Sequence, residues 1–230
     1  MISFFLPIRK GSKRLKRKNI KSLPGYKLGL TEIKIYQLNK FRKIILKNKL
    51  GPYSLKSFEF VVSTDCEIVK RFVKKFQWIK LHNRTKFLSS DNSLDKLIIK
   101  VPEICKGDFI LWTHVTNPLY DHNCYYKFLK SFFLNKNNKS AFSADLIRKF
   151  IFSPEKKWIT HKNNKLKWPR TQDLDPLYVA NSCAFIAKRE IYLKNKNRLC
   201  KNPLPIISDY SCGLDIDDPG DFDNFKKSLK

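Results

Sequence analysis

Short apolar runs alternate with longer amphipathic stretches through the first 134 residues of the chain. Three apolar runs predict strands, at residues 2–8, 58–63 and 108–113. Four stretches with apolar residues at helical spacing predict helices, at residues 28–46, 67–76, 94–104 and 123–134. This order predicts an α/β fold whose mainly parallel sheet carries helices on both faces.

The second half of the chain has a less regular pattern. Strands are expected at residues 140–145, 182–187, 204–207 and 213–216, with a short helix from Arg189 and a closing helix at 219–229. Residues 151–170, rich in Lys, Asn, Trp and Pro, are expected to be irregular. Asp65 is a candidate N-cap for the helix that begins at Glu67.

The length and composition favour one globular domain. The chain has 230 residues, of which 42% are hydrophobic, which is enough for a substantial core. No apolar run approaches the roughly 18 residues of a membrane span, so an integral membrane protein is not expected. The apolar segment 2–8 is too short for a secretory signal, and its basic cluster follows it. We therefore expect a cytoplasmic protein with six reduced cysteines.

The chain is strongly basic, with 47 Lys and Arg against 20 Asp and Glu and a net charge of +27. These cations are spread along the whole sequence, lysine predominates, and no known DNA- or RNA-binding signature accompanies them. We interpret the charge mainly as a solvated lysine surface that can attract anionic substrates. Nucleic acid is not an expected partner.

A basic loop follows the first predicted strand. Ligands of a parallel sheet bind at the carboxyl ends of its strands, which is where this loop lies. Backbone N–H groups near Gly11 could hold a phosphate while Arg9 and Lys13 neutralise its charge. The spacing is not that of a Walker motif. The alternative is a solvated basic turn.

Two carboxylates, Asp215 and Asp217, lie near the end of the chain. In an extended segment they project to the same side, because side chains alternate with period two. Such a pair suits Mg²⁺, with substrate phosphates completing the coordination. The alternative is a pair of exposed acids before a turn. Asp218 and Asp221 are expected to serve that turn and the start of the last helix.

Six segments, taken together, resemble the acylneuraminate cytidylyltransferases (CMP-sialic acid synthetases). Residues 6–20 read LPIRKGSKRLKRKNI and resemble the family pattern IPARGGSKRLPRKNI. Residues 61–65 (VVSTD), 113–119 (THVTNPL) and 213–222 (GLDIDDPGDF) resemble VVSTD, LQPTSPL and SIDIDTPEDF. Arg84 with Asp91 and Ser93, and residues 170–181, resemble two further motifs. The matches are colinear from residue 4 to residue 225.

The resemblance implies a Rossmann-like nucleotidyltransferase fold, with residues 1–230 as one domain. It implies transfer of CMP from CTP to the anomeric hydroxyl of a sialic-acid-like 2-keto-3-deoxy sugar acid, with release of pyrophosphate and with Mg²⁺ as cofactor. It also implies a homodimer, with residues 140–170 as a dimerisation extension.

The family's functional residues carry over by position. The CTP-binding residues would be Arg9, Gly11, Ser12, Lys13, Lys18, Asn19, Arg84 and Ser93. The sugar-binding residues would be His114, Arg170, Gln172 and Asn181. Asp215 and Asp217 would hold Mg²⁺. Arg9, Lys13 and Asp217 would carry the catalysis.

Some positions depart from the family pattern. Lys10 replaces the first of two glycines, and His114-Val115 replaces Gln-Pro beside the expected sugar pocket. A histidine with a pKa near neutrality could change the acceptor. Two alternatives remain open: a cytidylyltransferase for an eight-carbon (Kdo-type) sugar, and a non-catalytic protein that binds polyanions.

Overall fold

A seven-stranded sheet runs through the residues that this computed structural model describes, which are 1–48, 50, 54–89, 94–135, 138–160 and 166–229. The strands are β1 (Ile2–Ile8), β2 (Phe58–Thr64), β3 (Ile79–Asn83), β4 (Phe109–Thr113), β5 (Ser140–Ile147), β6 (Leu177–Lys188) and β7 (Leu204–Ile207). Their order is β3-β2-β1-β4-β6-β5-β7. β6 runs antiparallel to its neighbours β4 and β5, and the other pairs are parallel.

Helices cover both faces of the sheet, as predicted. They are α1 (Gly29–Lys47), α2 (Glu67–Val73), α3 (Lys86–Ser89), α4 (Leu94–Ile104), α5 (His122–Leu134), α6 (Arg189–Asn195) and α7 (Pro219–Ser228). Alternate residues of β1 enter different cores: Phe4 packs with residues of α1 and α5, whereas Phe5 packs with residues of α4 and α6. In the described part of the chain, no helix is both long and apolar enough to cross a membrane.

The strands and long helices predicted for the first half are confirmed, but the structure adds β3 and the short α3, ends α2 at Val73 and gives α2 a different N-cap. Strand β3 was not predicted, because this five-residue edge strand alternates Lys80 and His82 with apolar residues and pairs with β2 alone. Asp65 is not an N-cap: Cys66 occupies that position without a side-chain cap, and Asp65 instead accepts a hydrogen bond from the Lys10 backbone at 2.7 Å.

In the second half, residues 213–216 are not a strand. A short 3-10 helix, Tyr210–Gly213, is followed by chain outside the sheet. Ile216 is nevertheless fully buried between the partly exposed Asp215 and Asp217, so the predicted alternation of side chains is retained. β6 has 12 residues and begins before the predicted position 182.

The segment 140–170 has two parts. Its first eight residues form β5, which pairs with β6 on both sides of a register shift at Ser143 and with β7 as far as Ala144. The chain beyond β5 carries an aromatic cluster in which the Phe150 ring lies 5.2 Å from Trp168 and 6.1 Å from Trp158, centroid to centroid. Phe152 and Trp168 are 54% and 69% exposed, so this extension presents apolar surface.

Candidate functional site

A cleft with a volume of about 430 Å³ opens at the carboxyl ends of β1 and β4. This is the sheet edge at which the sequence places its ligand-binding loops. Its charged and polar lining consists of Arg9, Ser12, Lys13, Arg14, Lys18, Asn19, Arg84, His114, Thr116 and Asp217. Most residues predicted to bind CTP, the predicted sugar contact His114 and one of the two predicted metal ligands therefore share one cavity.

The basic loop after β1 is fastened by buried hydrogen bonds. The Asn19 side chain donates to the Arg9 carbonyl at 3.0 Å, and Asn19 itself accepts from Thr31 at 2.7 Å. These bonds turn the chain back on itself, so that Ser12 and Lys13 line the cleft. Gly11 is exposed, has no positive φ, and would meet nothing within 4 Å with a Cβ.

Lys18 joins this loop to the end of the chain. Its Nζ donates to the Ile216 carbonyl at 2.6 Å and lies 3.4 Å from Asp217 Oδ1. Arg14 approaches the other Asp217 oxygen at 3.5 Å. The Ile216 N–H in turn donates to the Thr116 carbonyl at 2.8 Å, which seats the acidic segment over the end of β4.

A capping box holds the backbone that follows. Asp218 accepts from the Asp221 N–H at 2.9 Å, and Asp221 accepts from the N–H groups of Asp217 at 2.9 Å and Asp218 at 3.2 Å. Asp218 is the N-cap of α7, so the roles predicted for Asp218 and Asp221 are confirmed. The cap therefore fixes the backbone of Asp217 through its hydrogen bond with Asp221.

Asp215 and Asp217 fit a divalent cation. Asp215 Oδ1 is buried and has no hydrogen-bond partner among the described residues. Burial raises the pKa of Asp215, the nearby Asp217 raises it further, and a hydrogen bond with Thr116 opposes the shift. A buried carboxylate oxygen without a partner is well suited to a cation. The described residues contain no cluster of three or more His, Cys, Asp or Glu, so water and phosphate oxygens would complete the coordination.

Arg84 forms the opposite wall of the cleft. It follows β3, where its N–H donates to the Thr64 carbonyl at 3.0 Å and its Nε donates to the Leu88 carbonyl at 2.8 Å. Burial lowers its pKa, although an arginine stays charged. Leu94 and Leu97 add apolar wall beside it. Ser93, predicted to contact the nucleotide, lies outside the described residues.

His114 corrects an expectation from the sequence. Trp112 Nε1 donates to His114 Nε2 at 3.0 Å. Burial lowers the pKa of His114 to about 3, and the positive charges of Arg198, Lys34 and Lys18 contribute to the shift. His114 is therefore neutral at physiological pH, and the pKa near neutrality expected from the sequence is wrong.

Three predicted sugar contacts lie outside the cleft lining: Arg170, Gln172 and Asn181. Arg170 is exposed on the extension and pairs with Asp173 at 2.8 Å, and the neighbouring Gln172 is also exposed. Asn181 is buried in β6. Its amide donates to Asp145 at 2.9 Å and accepts from Ser143 at 2.6 Å, which gives it a structural role in this chain.

Sequence reasoning missed four residues in or beside the cleft. Arg14 and Thr116 lie within matched motifs, and their position in these motifs is the sequence signal that indicates them. Trp112 reads as an ordinary buried strand residue. Arg198 has no local motif, yet its guanidinium lies 3.6 Å from the Phe185 ring centroid and 5.4 Å from that of Trp112.

No protein-family model matches the sequence, and no curated protein matches it. Solved structures do match. A CMP:2-keto-3-deoxy-manno-octonic acid synthetase complexed with CTP has a TM-score of 0.62 at 12% identity, over 99% of this chain and 98% of that one. A 4-diphosphocytidyl-2C-methyl-D-erythritol synthase from Anaerococcus prevotii has a TM-score of 0.62 at 11% identity, over 99% and 97% of the two chains.

A third match is a cytidylyltransferase from Leptospira borgpetersenii, with a TM-score of 0.57 at 14% identity, over 99% of this chain and 86% of that one. The three are named as a synthetase, a synthase and a cytidylyltransferase, and all match nearly the whole of this chain. Identities this low carry information about the fold alone. The chain has the Rossmann-like fold that these cytidylyltransferases share.

Proposed function

We propose that this protein is a CTP-dependent cytidylyltransferase that transfers CMP to the anomeric hydroxyl of a sialic-acid-like 2-keto-3-deoxy sugar acid. The observation that carries the proposal is the convergence of the N-terminal basic loop, Arg84, His114 and Asp217 on one cleft. These groups come from four separate motifs of one family resemblance, and a solved structure of the same fold is described as complexed with CTP.

The basic loop supplies the triphosphate site. Arg9 and Lys13 line the cleft where the loop leaves β1, and they would neutralise the phosphates. Ser12 adds a hydroxyl to the cleft, and the exposed backbone at the preceding Gly11 would contact the phosphates. Lys18 and Asn19 would border the nucleotide, with Arg84 on the cytidine side.

Asp215 and Asp217 would hold Mg²⁺ through their carboxylate oxygens. Bound Mg²⁺ supplies charge neutralisation for the triphosphate. Lys18 and Arg14 contact Asp217 and fix its position at the cleft. Arg9, Lys13 and Lys18 then offer fixed positive charge to the leaving group, which gains negative charge as the reaction proceeds.

The reaction is a displacement at the α-phosphorus. The anomeric hydroxyl oxygen of the sugar acid bonds to that phosphorus, and the bond from phosphorus to the bridging oxygen of pyrophosphate breaks. The hydroxyl proton passes to Asp217, directly or through water, and pyrophosphate leaves with the electron pair. We assign Asp217 this role because it is a partly exposed carboxylate that lines the cleft.

An eight-carbon acceptor is the second candidate. Its support is the likeness to a CMP:2-keto-3-deoxy-manno-octonic acid synthetase, whereas the matched motifs at 170–181 and 213–222 favour a nine-carbon acid. Both acids carry the same keto-acid end, so the cleft residues would have the same roles toward either.

We also propose that the protein is a homodimer. The exposed Phe152 and Trp168 give the extension an apolar surface suited to a second copy. In such a dimer, Arg170 and Gln172 could reach the cleft of the other subunit, which is how the sugar contacts predicted for them would arise.

The test is pyrophosphate release from CTP and Mg²⁺ with N-acetylneuraminate and with 2-keto-3-deoxy-manno-octonate. The expected result is release with one of them, lost in Asp217→Asn and retained in the matched surface variant Asp223→Asn. The preferred sugar decides between the two candidates. Absence of CTP binding, together with a salt-sensitive mobility shift on random RNA, would instead support the polyanion-binding alternative.

A further inference from the structure

We propose that Trp112 is a positioning residue that fixes His114 as an Nδ1–H donor for a carboxylate oxygen of the acceptor sugar. This inference rests on the proposed function and adds a recognition role for two neighbouring residues of β4 and its following loop. It concerns a pair in which the chain departs from its family pattern, since His114 replaces a glutamine.

The contact between the two side chains determines the tautomer. The indole Nε1–H of Trp112 can only donate a hydrogen bond. His114 Nε2, at 3.0 Å, must therefore accept, and a neutral imidazole that accepts at Nε2 carries its proton at Nδ1. Trp112 is fully buried and its ring packs against Phe5 at 4.9 Å between centroids, so the donor cannot easily move away.

The other ring nitrogen remains available to a ligand. His114 is partly exposed and lines the cleft. Within the described residues, its Nδ1 has no hydrogen-bond partner. This atom is also not among the buried polar atoms that lack a partner, so it is accessible. The ring therefore presents a fixed N–H to the cavity, and its bound partner must be a hydrogen-bond acceptor.

The charges around His114 favour an anionic partner. Arg198, Lys34 and Lys18 are the cations that act on the ring, and Arg198 also packs over the Trp112 ring. Arg198 Nη1 is buried without a partner among the described residues. A neutral N–H donor in a positive potential is well matched to a carboxylate.

The sheet order separates this carboxylate from the phosphates. Arg84, Arg9 and His114 follow β3, β1 and β4, which stand in that order across the sheet. With the triphosphate at Arg9 and Lys13, His114 lies on the far side from Arg84, toward β6. The acceptor sugar would occupy that side, and its carboxylate is the charged group that remains for His114.

The first test is nitrogen NMR of the histidine rings in the ¹⁵N-labelled protein. The chain has four histidines, and His114→Gln assigns the relevant signals. We expect protonated Nδ1 and unprotonated Nε2 for His114. Trp112→Phe, which keeps an aromatic ring but removes the N–H, should change this pattern, and Trp78→Phe should not. A protonated Nε2 in the wild type, or an unchanged pattern in Trp112→Phe, would overturn the proposal.

The second test adds ligands to the same samples. With CTP bound, N-acetylneuraminate or 2-keto-3-deoxy-manno-octonate should shift the Nδ1 signal of His114. The methyl ester of the same sugar acid should not shift it. Trp112→Phe should raise KM for the active acid about fivefold, the effect of one weakened hydrogen bond, and Trp78→Phe should leave it unchanged. Shifts with neither acid, or equal shifts with acid and ester, would overturn carboxylate recognition. CTP binding in these samples tests the proposed function separately.

Discussion

Lys18 donates a hydrogen bond to the carbonyl of Ile216 at 2.6 Å, across 198 residues of sequence. The bond places a cation of the N-terminal loop 3.4 Å from Asp217 Oδ1, beside the segment that carries both carboxylates proposed to hold Mg²⁺. The Lys18 side chain is only 13% exposed, so its charge is poorly screened by solvent. The proposed phosphate and Mg²⁺ sites lie on separate segments of the chain, and this contact fixes the position of one segment relative to the other.

Replacing Lys18 by methionine should therefore impair catalysis more than it impairs folding. We expect kcat/KM to fall about 10²-fold, because the variant loses a fixed charge at the cleft and the tie to Ile216. Lys16→Met is the matched control, since Lys16 is exposed on the same loop. Steady-state kinetics and thermal unfolding of both variants make the comparison. Equal losses in the two would show that overall charge, and not this contact, matters.

Removing one of the two carboxylates proposed to hold Mg²⁺ should weaken the response to Mg²⁺. In Asp215→Asn we expect the Mg²⁺ concentration for half-maximal activity to rise at least about tenfold, because a neutral amide is a poorer ligand than a carboxylate. Asp223→Asn, on the exposed face of α7, is the control. Activity measured against Mg²⁺ at fixed CTP gives both values. An unchanged Mg²⁺ dependence in Asp215→Asn would exclude Asp215 as a ligand.

The buried Lys34 should make stability depend on pH. Burial lowers its pKa from 10.5 to about 7, while its Nζ donates to the carbonyls of Asn117 at 2.9 Å and Tyr120 at 2.8 Å. Above the folded pKa, the unfolded chain binds one more proton than the folded chain. The free energy of unfolding should therefore rise with pH, by up to about 1.4 kcal/mol per pH unit.

Chemical unfolding between about pH 7 and pH 7.5 measures this slope, where most cysteines of the unfolded chain stay protonated because their pKa is about 8.5. Lys34→Met should remove Lys34's share of the slope, and Lys40→Met, an exposed position on the same helix, should retain it. A slope common to all three proteins would assign the pH dependence to other groups.

A charge on the extension should weaken the proposed dimer. Trp168 is 69% exposed beside Phe150, so glutamate is tolerated in a monomer but would be desolvated in an interface. We expect Trp168→Glu to raise the dimer dissociation constant at least about tenfold. Sedimentation across micromolar concentrations measures it, with Leu134→Glu, a 72% exposed residue at the end of α5, as control. A wild-type protein that stays monomeric would refute the dimer.

Much of this architecture could be predicted from the sequence because its apolar pattern is strong. β1 alternates between two cores, and α1 and α4 carry continuous apolar faces, so their positions follow from local periodicity. β3 and the segment before α7 were misassigned because edge pairing and a 3-10 turn leave weaker signals. The chemistry of His114 could not be foreseen, because its proton position depends on Trp112 and its neutral state on burial, to which the charge of the distant Arg198 adds.

The capping box at Asp218 and Asp221 has a consequence for the order in which the cleft is assembled during synthesis. Because 198 residues separate Lys18 from Ile216, the ribosome makes the acidic segment and its helix cap well after the loop that they meet. Strands β1 to β4 can pair while the chain is still growing, since each is joined to the next by helices already synthesised. The cleft gains its acidic wall only when α7 docks. A nascent chain thus carries an electropositive pocket that lacks Asp217 until α7 is in place.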